Sequence, residues 1–84
     1  MKRVTVYTTD PCARCLNAKQ LLEARGIAYD EVNLAKDPVG RAELARRTGL
    51  RTFPQIVVED STIGGLDDLR AAEESGALDA LIAA

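Results

Sequence analysis

Asp10-Pro11-Cys12-Ala13-Arg14-Cys15 carries the densest chemical signal in this chain. It holds the only two cysteines present, spaced C-x-x-C. The β-branched run Val4-Thr5-Val6-Tyr7-Thr8 precedes it, and a run with helical spacing, Leu16 to Arg25, follows it. The cysteines therefore sit where a strand hands over to a helix, and C-x-x-C beside a βαβ pattern reads as a redox motif. Asp10 is a good N-cap residue and Pro11 suits the first helical position, which predicts a helix beginning at Pro11 or Cys12. A thiol at that point meets unpaired backbone N–H groups and the positive end of the helix macrodipole. Both favour thiolate over thiol, and can bring a C-x-x-C thiol from about 8.5 to roughly 7 or lower. Arg14 adds a positive charge in support. Asp10 opposes it, unless its oxygens are spent on capping N–H groups.

Cys15 lies almost one turn beyond Cys12, so both sulfurs share a face and can close a disulfide. Cys15 also falls on a stripe with Ala18 and Leu22. Cys12 is then the exposed attacking sulfur and Cys15 the sheltered resolving one. Three plainer readings compete, chance spacing among them. A structural disulfide is out of place in a small chain with no export signal. Half of a zinc site needs further ligands, and the chain has no His and no third Cys.

The bulk numbers narrow the class. Eighty-four residues make one small domain, residues 1–84. Hydrophobic content of 46% with 29% charged residues describes an ordinary globular chain. A net charge of −2 makes no case for nucleic acid or an anionic membrane. The charges are uneven: Arg41, Arg46, Arg47 and Arg51 cluster mid-chain, whereas Glu59 to Asp79 is mostly acidic. For most of those arginines a solvated helix face is the simpler account. Met1-Lys2-Arg3 leads straight into a strand rather than an apolar signal segment, and no apolar run approaches the ~20 residues of a membrane span. Cytoplasmic localisation is the expectation. Without histidine, Ser–His and Cys–His hydrolases and His-ligated metal centres are excluded.

Taken in order, residues 3–8 read as a strand and 11–25 as a helix stopped by Gly26. Tyr29 to Leu34 reads as a second strand, polar enough for an edge, joined to the first by a right-handed parallel crossover. Asp37-Pro38 repeats the cap-plus-proline signal and opens a helix to about Thr48, closed by Gly49. Gln55-Ile56-Val57-Val58 is the most hydrophobic strand, and Glu59-Asp60-Ser61 turns it into a short partner at Thr62-Ile63. Leu66 to Ser75 reads as a third helix ending at Gly76, with a short helix after it. The order is βαβαββα: an α/β chain with a four-stranded mixed sheet and three to four flanking helices. Pro54 must open its strand or occupy a special turn, because it cannot donate to the ladder. Gly64-Gly65-Leu66-Asp67 allows close backbone approach ahead of a helix N-terminus, or is a turn with a capping Asp.

Taken together these residues resemble the glutaredoxins. The match runs through Tyr7-Thr8, Cys12 and Cys15, Ala18-Lys19, Thr48-Gly49, Arg51-Thr52-Phe53-Pro54-Gln55-Ile56, Ile63-Gly64-Gly65-Leu66-Asp67-Asp68-Leu69 and Ser75-Gly76-Ala77-Leu78. The resemblance implies a thioredoxin-like fold with a cis peptide bond at Phe53-Pro54 facing the cysteines. It implies a glutathione site in which Cys12 forms the mixed disulfide and Phe53, within Thr52-Phe53-Pro54, pairs with the substrate backbone. Arg41 would meet the glycine carboxylate, and Leu66 N–H and Asp67 the γ-glutamyl end, with Arg14, Gly64 and Gly65 in support. The chain departs from the family in having Ala13-Arg14 for the usual Pro-Tyr, Thr9 for a usual Lys, and Phe53 for the usual Val.

The function expected from these readings is glutathione-dependent thiol–disulfide exchange, with Cys12 as nucleophile and Cys15 as resolving thiol. Glutathione is co-substrate, and no tightly bound cofactor or metal is expected. The partners are disulfide-bonded or glutathionylated proteins, and the chain is read as a monomer. One alternative is a redoxin recycled by a flavoprotein of the thioredoxin-reductase type, or by another low-molecular-weight thiol. Another is an iron–sulfur carrier sharing a cluster between two chains through Cys12 and glutathione.

Overall fold

The computed structural model describes residues 1–84. Its elements are β1 (Val4–Thr8), α1 (Ala13–Ala24), β2 (Asp30–Asn33) and α2 (Pro38–Thr48). They continue with β3 (Gln55–Val58), β4 (Ser61–Gly64), α3 (Leu66–Ser75) and α4 (Ala77–Ile82). The sheet order is β2-β1-β3-β4. β1 runs parallel to β2 and antiparallel to β3, and β3 is antiparallel to β4, so the sheet is mixed as predicted. Polar β2 is an edge strand, exposed along its whole length. β4 is longer than the predicted Thr62-Ile63, and joins β3 through Glu59-Asp60, with Glu59 at φ 54°.

Period-two alternation divides the sheet's two faces. Val4 and Val6 from β1 and Ile56 and Val58 from β3 lie on one face, packed with Ala18 and Leu22 of α1, Leu66 and Leu69 of α3, and Leu78 and Ile82 of α4. Gln55 and Val57 point to the other face, and Thr48 of α2 donates a hydrogen bond to Gln55 there. Full burial of each large aliphatic chain, Leu22, Ile56, Leu66 and Leu69 among them, contributes about 1.5–3 kcal/mol. α2 carries its predicted caps: Asp37 Oδ1 accepts from Gly40 N at 2.8 Å, and Gly49 closes the helix at φ 76°, a conformation that disfavours a Cβ.

α1 starts differently from the expectation. The helix begins at Ala13, not Pro11 or Cys12, and the Asp10-Pro11 peptide bond is cis. Asp10 does not cap it. Its Oδ2 accepts instead from Asn33 Nδ2 at the end of β2, 2.9 Å away. The cap residue is Cys12 itself, whose Sγ accepts from Cys15 N at 3.0 Å.

α1 is fastened to the sheet through a polar trio. Thr8 Oγ1 donates to Glu31 Oε2 at 2.8 Å, and Lys19 Nζ donates to the same carboxylate at 3.1 and 3.3 Å. The Thr8 hydrogen bond, helped by Lys19 and opposed by desolvation, holds the Glu31 carboxyl below its ordinary value of 4.5. A depressed folded pKa adds stability that is present above the unfolded value and lost as pH falls through the folded one. Glu31→Gln should therefore flatten the acid limb of the urea-midpoint profile as pH falls below the ordinary carboxyl value of 4.5. Parallel wild-type and variant profiles would show that Glu31 has no such role.

Candidate active site

The pairing of Tyr7 with Gln55 brings the start of β3 beside the end of β1. Phe53-Pro54, which leads into β3, thus lies at the sheet end from which the chain passes to Cys12. The Phe53-Pro54 bond is cis. α3 starts at the same end. Gly64 pairs with Ile56, and a Cβ on Gly65 would stand 3.6 Å from Pro54 O. Three stretches far apart in sequence, around Cys12, Pro54 and Leu66, converge by topology.

Cys12 and Cys15 form a disulfide, with Cα atoms 5.2 Å apart. Cys12 is half-buried, whereas Cys15 is 3% exposed on the stripe with Ala18 and Leu22, the division of roles expected of an attacking and a resolving sulfur. The N–H of Cys15 that points at Cys12 Sγ also favours negative charge on that sulfur once the disulfide opens.

The other predicted site residues are distributed around this pair. Arg41 Nη1 donates to Leu34 O at 2.6 Å and Ala35 O at 3.0 Å, which pins the loop between β2 and α2. Its guanidinium has further donors. Arg41 lines a cleft of about 260 Å³ with Arg51, Phe53, Leu50 and Ala45. Thr52 is exposed, and its carbonyl is held by Gln55. The Leu66 side chain is buried in the core, so only its backbone can serve a ligand. Gly64 takes φ 127°, and a Cβ there would collide with the Asp68 carboxylate. Asp68 Oδ2 accepts from Gly65 N at 3.0 Å, so Asp68, not Asp67, caps α3. Asp67 instead receives Arg14 Nη2 at 3.1 Å. Arg46, Arg47 and Arg51 are exposed and form no ion pair, as a solvated face would have it.

Gln55 has a role that its sequence context only hinted at. It is 1% exposed, and its Nε2 donates to Leu50 O at 3.0 Å and Thr52 O at 3.1 Å. Its Oε1 accepts from Thr48 Oγ1 at 2.8 Å. One buried amide thus ties the end of α2 to the loop that delivers Phe53-Pro54. The available signal was an amide opening an otherwise wholly apolar strand, since buried amides need partners.

The glutaredoxin family model matches residues 4–63. Among curated proteins, the chain is 46% identical over 84 residues to a glutaredoxin of Pseudomonas aeruginosa, covering 100% of both chains. It is 38% identical to glutaredoxin 3 of Escherichia coli, covering 98% of this chain and 99% of that one. Among solved structures, a Brucella melitensis glutaredoxin superposes with a TM-score of 0.86 at 41% identity, covering 98% of this chain and 89% of that one. A buckwheat glutaredoxin–glutathione complex superposes with a TM-score of 0.85 at 27% identity, covering 94% and 74%. The fold is thioredoxin-like, as the sequence led one to expect. With a half-exposed Cys12 bonded to a buried Cys15 on that fold, the chain belongs to the glutaredoxin family of thiol–disulfide oxidoreductases.

Proposed function

We propose that this protein is a glutathione-dependent oxidoreductase that reduces protein disulfides and glutathione mixed disulfides, acting as a cytoplasmic monomer. The observation that carries the proposal is the half-exposed Cys12 at the cap of α1, bonded to buried Cys15, at the sheet end shared with cis Phe53-Pro54 and the start of α3. The buckwheat relative's solved complex with glutathione supports the choice of thiol. No helix is long and apolar enough to cross a membrane.

In the proposed reaction the Cys12 thiolate attacks the glutathionyl sulfur of a mixed disulfide. The old S–S bond breaks, the substrate thiolate leaves with the electron pair and takes a proton from water, and Cys12 carries the glutathionyl group. A second glutathione thiolate attacks that glutathionyl sulfur, which releases glutathione disulfide and restores the Cys12 thiolate. For a protein disulfide, Cys15 attacks Cys12 in the mixed disulfide, and two glutathiones later reduce the Cys12–Cys15 bond. Glutathione carries a carboxylate at each end. Arg41, on the cleft beside Phe53, is assigned the glycine carboxylate; Asp67 and the Leu66 N–H are assigned the γ-glutamyl end.

The test is an NADPH-coupled assay on a small glutathione mixed disulfide, with glutathione and glutathione reductase in one arm and thioredoxin reductase in the other. Turnover is expected in the glutathione arm. Turnover confined to the thioredoxin-reductase arm would replace this reading with that of a flavoprotein-recycled redoxin.

A further inference from the structure

Arg14 breaks a local rule. It is the second residue of α1, where a cation opposes the positive end of the macrodipole, and α1 has no acidic residue in its first turn to offset it. Its compensation comes from another element: Nη2 lies 3.1 Å from Oδ1 of Asp67, the second residue of α3. A local preference overridden in this way is characteristic of functional sites. The pair spans the mouth of the site, one end rising from the dipeptide between the cysteines and the other from the segment assigned to the γ-glutamyl group. Both side chains are open to solvent, 53% exposed for Arg14 and 80% for Asp67, so the contact is weak and exchanges readily. Arg70 Nη1, at 3.9 Å, leaves Asp67 a second cation nearby.

We propose that Arg14 determines specificity by reading the α-carboxylate of the γ-glutamyl group while Asp67 takes its α-ammonium. The assignment rests on the glutathione reading above and adds a residue to it. The γ-glutamyl end of glutathione is an amino-acid zwitterion, with ammonium and carboxylate on one carbon. The free protein holds the mirror arrangement, guanidinium against carboxylate. A zwitterionic head replaces one exposed ion pair by two, whereas a thiol without that head leaves the Arg14–Asp67 pair as it stands and gains neither contact. The difference between the two ligands is the selectivity.

The plainer role for Arg14, stabilising the Cys12 thiolate, would affect every substrate alike, and the experiment separates the two. Wild type, Arg14→Gln and Arg14→Lys are assayed on the mixed disulfide of glutathione with 2-mercaptoethanol. The same three are assayed on its analogue bearing a carboxamide for the γ-glutamyl α-carboxylate. Wild type should lose about two- to fivefold in kcat/KM on the analogue, mainly through KM, the size expected of one exposed charge contact. Arg14→Gln should lose as much on the native substrate and treat the two substrates alike, and Arg14→Lys should recover part of the difference. Wild-type discrimination retained in Arg14→Gln, or an equal fall in kcat on both substrates, would overturn the assignment and leave the glutathione reading intact. Absence of wild-type turnover on either glutathione substrate would overturn that reading and Arg14's role with it.

Discussion

Cys12→Ser is expected to bring turnover on both a glutathione mixed disulfide and a protein disulfide down to background. Cys15→Ser should keep the first activity and lose the second. The asymmetry follows from the burial of the two sulfurs. Only the thiolate is a competent nucleophile at neutral pH, and a serine hydroxyl in the same place stays protonated. Cys12 is the half-exposed member, and the N–H of Cys15, 3.0 Å from its sulfur, stays in place whether residue 15 ends in sulfur or oxygen. Cys15, 3% exposed, cannot meet a bulky disulfide from solvent, but it can reach Cys12 across the 5.2 Å between their Cα atoms. Glutathione can replace Cys15 as the second thiol on a mixed disulfide. It replaces the intramolecular attack poorly on a protein disulfide, where effective concentration favours the neighbouring thiol. Measuring both variants on both substrates is decisive. Activity retained by Cys12→Ser, or deglutathionylation lost in Cys15→Ser, would defeat the assignment of roles.

Gln55→Leu is expected to cost about 2–4 kcal/mol, read from the urea midpoint, although leucine is similar in size and the site is buried. The cause is the set of partners left behind. Leu50 O and Thr52 O would lose their shared donor, and the Thr48 hydroxyl would be left with Leu44 O as its acceptor, around a side chain that is itself 1% exposed. Small domains have total stabilities of roughly 5–10 kcal/mol, so the loss is a large share of the whole. Activity should fall as well in the fraction that remains folded, because the same three bonds hold the loop that presents Phe53-Pro54. Gln55→Glu, which keeps the acceptor but loses both amide donors, should be no better. A Gln55→Leu protein with wild-type midpoint and turnover would show that the loop is held by its backbone alone.

The parts legible in the sequence were those with local causes. The cap and proline at Asp37-Pro38, the stop at Gly49, the apolar run from Gln55 to Val58 and the polar edge near Asp30 each reveal themselves within a few residues, and each element stands where it was expected. The cysteine spacing pointed to redox chemistry, and the stripe of Cys15, Ala18 and Leu22 indicated which of the two sulfurs is buried. Asp10-Pro11 carried the same signal as Asp37-Pro38 and did not behave the same way. Nothing near Asp10 in sequence reveals Asn33, 23 residues on, which takes its carboxylate and leaves Cys12 to cap the helix.

The class of chemistry, the order of strands and helices, and the two sulfurs proposed to react were thus legible in the sequence. These depend on residue type and short spacing, which a chain carries with it before folding. Only the tertiary structure decided that Asp68 rather than Asp67 caps α3, that Arg41 pins the β2–α2 loop, that Gln55 holds the approach to Pro54, and that Arg14 meets Asp67. Each of these is a choice among several polar partners, made by whichever comes within about 3 Å once the sheet and helices have packed.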